Sequence, residues 1–181
     1  MSPTLLKTLL GSALFCALVP AQASSLPVAA PVQSSFAAPA DQVIAAAVDT
    51  FYLPRPDMLI WLKAGPASPG PAALIRALRR APLDGLSSGP QLAEDIQHAL
   101  AAATDRPSML RADRLMSAAW LRYVAALHAP APGMVYNDPR LTPRTPAAGY
   151  ILEQAARAPS LPDHIDEIGR ASCRERVCVP V

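Results

Sequence analysis

Apolar residues recur at helical spacing in five stretches of the chain, and each stretch is bounded by proline, glycine or a capping residue. Asp41 stands where it can cap a helix whose Ile44, Val48 and Phe51 fall at i, i+4 and i+7 on one face, and Pro54 and Pro56 end it. Leu74, Ile75 and Leu78 predict a second helix with Arg76, Arg79 and Arg80 pointing outward. Pro90 suits the first turn of a third, in which Leu92, Ile96 and Leu100 repeat every four residues while Glu94, Asp95 and Gln97 face water; Arg106-Pro107 closes it. From Leu110 to His128, two adjacent apolar rows predict the central helix of the domain: Met116, Trp120 and Val124 in one, Leu115, Ala119, Tyr123 and Leu127 in the other. The last predicted helix starts at Thr145, carries Tyr150, Leu152, Ala155 and Ala156, and is broken at Ala158-Pro159.

Between these stretches the pattern changes. Met58 to Leu62 is a short apolar run containing Trp61, too short for a stable helix, and it reads as a strand or extended segment. Gly65 to Pro71 is a Gly/Pro loop, Asp84-Gly85 a turn with Leu86 anchoring it, and Pro130 to Pro146 a Pro-rich link. The expected fold class is therefore mainly α, a small helical domain with one or two short extended segments. Few residues are aromatic, so Trp61 and Trp120 should contribute a disproportionate share of buried area.

The two ends differ from this middle. Residues 1–23 have the form of a secretory signal peptide. Lys7 precedes the apolar stretch Leu9 to Val19, which is far shorter than the ~20 residues that span a bilayer, and Ala21-Gln22-Ala23 provides small residues for cleavage. Export to the periplasm is expected, with cleavage after Ala23 and no stable membrane anchor afterwards; Phe15 before Cys16 argues against a lipid-modified cysteine. Residues 24–40, interrupted by Pro27, Pro31 and Pro39, read as a flexible Ala/Pro-rich leader. Residues 167–181 turn abruptly polar, and the run from Glu167 to Cys178 resembles the translation of a common short-read sequencing adapter. A non-native tail after Asp166 is expected on that ground. Between Ser24 and Asp166, twelve Lys and Arg balance twelve Asp and Glu, so the net charge of +2 comes from the ends and does not point to nucleic acid.

Phe51, Tyr52 and Arg55, the apolar-Trp pair Ile60-Trp61, and the turn Asp84-Gly85-Leu86 follow one another in the order and spacing of the scaffold domain of murein L,D-transpeptidases, which residues 41–166 resemble. The stretch A-D-R-L-M-S-A-A-W-L-R-Y-V at 112–124 resembles that domain's next helix, and A-A-R-A-P-S-L at 155–161 resembles the long Gram-negative type. The resemblance implies a part in building peptidoglycan 3-3 cross-links, where a cysteine thiolate takes the acyl group of a donor stem peptide and passes it to an acceptor amine. It also implies that the catalytic cysteine, in a Ser-His-Gly-Cys setting, belongs to a separate catalytic domain. This chain contains no such motif, so it reads as a scaffold fragment, truncated and inactive alone, whose partner is the missing catalytic domain of its parent. The alternative is a complete non-catalytic periplasmic module that binds peptidoglycan or a partner protein.

No catalytic residue, metal site or cofactor is assigned. Cys173 and Cys178 follow Ser172 and Val177 instead of His-Gly, and they lack further ligands nearby. His98 falls on the charged side of its helix, His128 at a helix end where a cation suits the dipole, and His164 in a terminal polar stretch beside Asp163 and Asp166. Phe51, Tyr52, Arg55 and Trp61 remain as candidate binding or domain-docking residues. Two readings stand for them: the aromatics pack helices together while Arg55 pairs with a nearby acid, or they dock the catalytic domain or a glycan strand.

Overall fold

The computed structural model describes residues 39–130, 135, 137, 138, 140 and 142–177, with the side chains of Pro39 and of 171–177 left out. The signal-like segment, most of the leader, Cys178 and parts of the Pro-rich link lie outside the described residues. Six helices are present: α1 (Pro39–Tyr52), α2 (Pro69–Arg80), α3 (Gly89–Ala101), α4 (Arg106–Leu127), α5 (Ala148–Arg157) and α6 (Leu161–Val177), with a 3-10 turn at Ala81–Asp84. The fold class is mainly α, as expected, and no strand occurs among the described residues.

Four boundaries differ from the sequence reading, each for a local reason. Pro39 already belongs to α1, so Asp41 lies in the first turn instead of capping it. Arg106-Pro107 opens α4 instead of closing α3. Asp105 is the N-cap, its carboxylate accepting from the Ser108 amide at 2.8 Å, while the Ser108 hydroxyl accepts from the Asp105 amide at 3.1 Å. That reciprocal pair holds the Asp105 carboxyl below its usual range, because the Ser108 side chain and then its backbone donate to the ionised form. Helix α5 begins at Ala148, and its inner stripe is Ile151, Leu152 and Ala155, while Tyr150 is 59 % exposed. Beyond Pro159 the chain re-enters helix as α6, a sixth helix that the breaker-based reading missed. It continues across the Asp166–Glu167 junction, and Ile168 packs against the core.

Helix α4 packs against each of the other five, which makes it the axis of the domain. The row Met116, Trp120 and Val124 is fully enclosed, Ala119, Tyr123 and Leu127 are buried beside it, and Leu115 is half-buried. Trp120 lies edge-on to Trp61 with ring centroids 6.1 Å apart, tilted against Tyr123 at 5.9 Å. Edge-to-face rings place the electropositive rim of one on the negative face of the other, so these contacts orient the core as well as fill it.

Two close approaches set the positions of α2. A Cβ on Gly70 would lie 2.9 Å from Leu161 Cδ1, so the first side chain of α6 seats directly on the α2 backbone there. A Cβ on Gly89 would overlap the Leu78 carbonyl and come within 2.7 Å of Ala81 Cβ, which seats the start of α3 directly on the end of α2. The Leu78 carbonyl is backbone and cannot rotate away. The turn between these helices closes through Gly85 at φ +94°, with the Leu86 amide bonded to the Ala81 carbonyl at 2.9 Å.

Gly89→Ala is expected to destabilise the domain by about 1–3 kcal/mol, the usual cost of overpacking a tight contact. Gly149→Ala, where an added Cβ meets nothing within 4 Å, serves as the control. Urea unfolding of the two variants measures the difference, and equal midpoints would refute the close-packing account.

Candidate functional site

The residues singled out from the sequence converge at the end of α1 and the irregular segment that follows it. After Tyr52 the backbone turns twice, with Arg55 N donating to Tyr52 O at 2.9 Å and Met58 N to Arg55 O at 3.0 Å. It then runs through Leu59, Ile60, Trp61 and Leu62, all buried. The expected strand or extended segment is instead a bend at Ile60, Trp61 and Leu62, whose curvature turns three successive amides to one side, and no strand pairs with it among the described residues. Buried amides need acceptors nonetheless, and here a side chain supplies them.

That side chain is Asp113, which is fully enclosed in the first half of α4. Its Oδ1 accepts from the amides of Trp61 at 2.8 Å, Leu62 at 3.0 Å and Ile60 at 3.1 Å. Its Oδ2 accepts from the Tyr52 hydroxyl at 2.7 Å and shares the Ile60 amide at 3.0 Å. The single Tyr52 proton is committed to Asp113, so the Ser117 hydroxyl donates to Tyr52 Oη at 2.8 Å, and Ser117 in turn accepts from Trp61 Nε1 at 3.0 Å. Every donor in this buried chain points toward the carboxylate.

Burial pushes the Asp113 carboxyl above the usual carboxylate range, while the donors from Ile60, Tyr52, Leu62 and Trp61 pull against that shift by stabilising the charge. For Tyr52, burial first and then the Asp113 charge hold the hydroxyl far above the ordinary phenol range, so it remains a donor. The Arg114 guanidinium lies 5.5 Å from the Tyr52 ring centroid and supplies positive charge on the same side. The arrangement is a lock made of donors around one acceptor. It exposes no nucleophile, since Ser117 is fully enclosed, and the described residues contain no group of three or more His, Cys, Asp or Glu placed to hold a metal.

Of the four candidates, Tyr52 and Trp61 are interior members of this network, and Phe51 is buried with its ring edge-on to Tyr52 at 5.2 Å. Arg55 is at the surface, its guanidinium 5.1 Å over the Phe51 ring and 3.7 Å from Glu153 of α5, which also receives Arg157 at 3.0 Å. Of the four, Arg55 is the residue that another molecule can reach. Lys63 closes the same side by donating to the Ala156 carbonyl at 2.5 Å in the last turn of α5.

Asp113, Ser117 and Arg114 were absent from the candidate set. A signal existed: Asp113 and Ser117 fall three before and one after Met116, on the very face predicted to be buried, and a carboxylate there demands partners. His98 is exposed and His128 caps α4, as their positions suggested. His164, expected at a polar terminus, instead lies in α6 with its ring 5.8 Å from Trp120. Burial lowers its pKa from the ordinary 6.5, with Glu167 opposing.

Two concavities mark the surface. A groove of about 460 Å³ runs between α1, α3 and α4, lined by Ile44, Leu86, Leu92 and Ala126, and the Asp41–Arg122 ion pair at 2.8 Å stands at its lip. A smaller one of about 250 Å³ at the α5–α6 elbow is lined by Arg157, Ser160, Asp163, His164 and Glu167.

Asp113→Ala leaves three buried amides and a tyrosine hydroxyl without their acceptor, and the expected loss is about 3–5 kcal/mol; Asp113→Asn, which keeps one carbonyl oxygen, should lose less. Chemical denaturation followed by circular dichroism ranks the two, and equal losses would contradict the amide-acceptor role. For His164 the sign follows from its lowered folded pKa: the unfolded chain takes up a proton first as pH falls. Stability is expected to be full above pH 6.5 and to decline below it. Replacing His164 by Phe should flatten that decline, and an unchanged slope in melting temperature between pH 7 and 5 would refute it.

The family model described as Scaffold domain matches residues 46–172, from the middle of α1 into α6, and so contains the whole Tyr52–Trp61–Asp113–Ser117 network. No curated protein and no solved structure matches the chain. The match covers well over half of the sequence, and the chain belongs to the Scaffold domain family.

Proposed function

We propose that this chain is the scaffold of an exported murein L,D-transpeptidase, positioning a catalytic domain that forms peptidoglycan 3-3 cross-links and performing no acyl transfer itself. The observation that carries the reading is the placement of its family-like residues. Tyr52, Trp61 and the 112–124 stretch, separate in sequence, are joined by hydrogen bonds around Asp113, and the Scaffold domain match spans all of them. A helical body tied together around Asp113, with Arg55 exposed at its surface, suits a support role. The Ser-His-Gly-Cys motif that the chemistry needs is absent from the sequence, and the signal-like residues 1–23 fit work in the periplasm.

On this reading Arg55 contributes the docking contact, its guanidinium held in place over the buried Phe51 ring. Incubated with disaccharide tetrapeptides, the purified chain should yield no 3-3 cross-linked dimers by mass spectrometry. Passed over an immobilised L,D-transpeptidase catalytic domain, it should be retained, and Arg55→Glu should weaken retention by roughly tenfold or more, the loss typical of a central interface arginine. Dimer formation by the chain, or no retention at any concentration, overturns the proposal.

A further inference from the structure

The outer face of α2 is basic and carries no carboxylate. Pro69, Ala72, Arg76, Arg79 and Arg80 are all exposed. At about 100° per residue they fall within an arc of roughly 100°. Leu83, one turn further along in the 3-10 turn, is 85 % exposed and extends the same strip. Helix α2 has no acidic residue, and its opposite face, with Leu74, Ala77 and Leu78, is buried against α3, α4 and α6. None of the three arginines forms an ion pair with a described residue. Arg79 makes one hydrogen bond, to Gln97 Oε1 at 2.9 Å. Acids nearby are turned to other tasks: Asp84 accepts from the Tyr123 hydroxyl and Asp95 from Gln91.

A strip that combines small apolar residues, three guanidinia, one projecting leucine and no carboxylate is suited to a surface that is both anionic and apolar just beneath. We propose that this face of α2 is a peripheral membrane-binding surface for anionic phospholipid. The guanidinia pair bidentately with headgroup phosphates, Pro69 and Ala72 let the helix lie close to them, and Leu83 enters the acyl boundary. The formal charge between Ser24 and Asp166 is balanced, so attraction to such a surface comes from local placement instead of overall charge. The binding is expected to be weak, reversible and salt-sensitive. It is independent of the transpeptidase parentage and needs only that the chain meet a bilayer surface.

The test uses the full chain with Leu83→Trp as a local fluorescent reporter, so that association through the apolar residues 9–19 cannot mimic the signal. With vesicles of phosphatidylcholine containing 30 mol % phosphatidylglycerol, chosen as the probe composition on the order of a natural anionic fraction, the emission of the added tryptophan should shift to the blue. Phosphatidylcholine vesicles alone, or 0.5 M salt (a Debye length of roughly 4 Å), should abolish the shift. Replacing Arg76, Arg79 and Arg80 together by Gln should weaken the phosphatidylglycerol-dependent binding about fivefold per charge, on the order of 100-fold in all, with the helical circular dichroism of the chain unchanged. Equal shifts on both vesicle types, no shift on either, or binding that survives the triple replacement each overturn the proposal. Arginine-dependent retention on isolated peptidoglycan without any on vesicles overturns it too, in favour of a polyanionic glycan partner.

Discussion

One buried carboxylate organises this domain. Asp113 accepts from the successive amides of Ile60, Trp61 and Leu62 in a bend, amides that would otherwise be buried without acceptors, and through Tyr52 and Ser117 it reaches the end of α1 and the indole of Trp61. Removing a charge from water is expensive, and that expense is offset only when the geometry of its partners is complete. Here the end of α1 and the bent segment just after it meet α4, more than 50 positions further along the chain. The segment can bury its Trp only where the acceptor stands, and the acceptor can stay buried only where the segment supplies its amides.

This mutual requirement explains why α4 is the axis. The same helix carries Asp113 and Ser117, interleaved with Met116 and followed by Trp120 and Val124, so polar fixation and apolar burial act along one line. The polar half determines register, since amides must meet oxygens at 2.8–3.1 Å, while the apolar half supplies area removed from water. The outer contacts are weaker. Arg122–Asp41 and Arg55–Glu153 are partly exposed ion pairs, each typically worth about 0–1 kcal/mol, and they tie α4 to α1 and the segment to α5 without deciding the fold.

For function, the distribution of chemistry is informative. Two of the groups with shifted ionisation, Asp113 and Tyr52, are fully enclosed, and both serve the structure. Among the exposed groups are arginines: Arg55 over Phe51 at one place and the triad on α2 at another.

Much of this was legible in the sequence. Helical periodicity identified five of the six helices and the buried rows of α4, because side-chain spacing along a helix follows from local geometry alone. The order of Phe51, Tyr52, Trp61 and Asp84-Gly85-Leu86 pointed to the family. Boundaries were less secure: Pro107 was read as a stop although a proline is equally at home in a first turn, and Pro159 hid α6 behind it. What only the tertiary structure decided is which residues meet. That Met58 to Leu62 pairs with a carboxylate instead of a strand, that Ser117 links Tyr52 to Trp61, and that His164 lies against Trp120 are facts about groups 44 to 65 positions apart. Local pattern fixes the direction a side chain takes from its own helix. The partner it finds there depends on how the helices are set against one another.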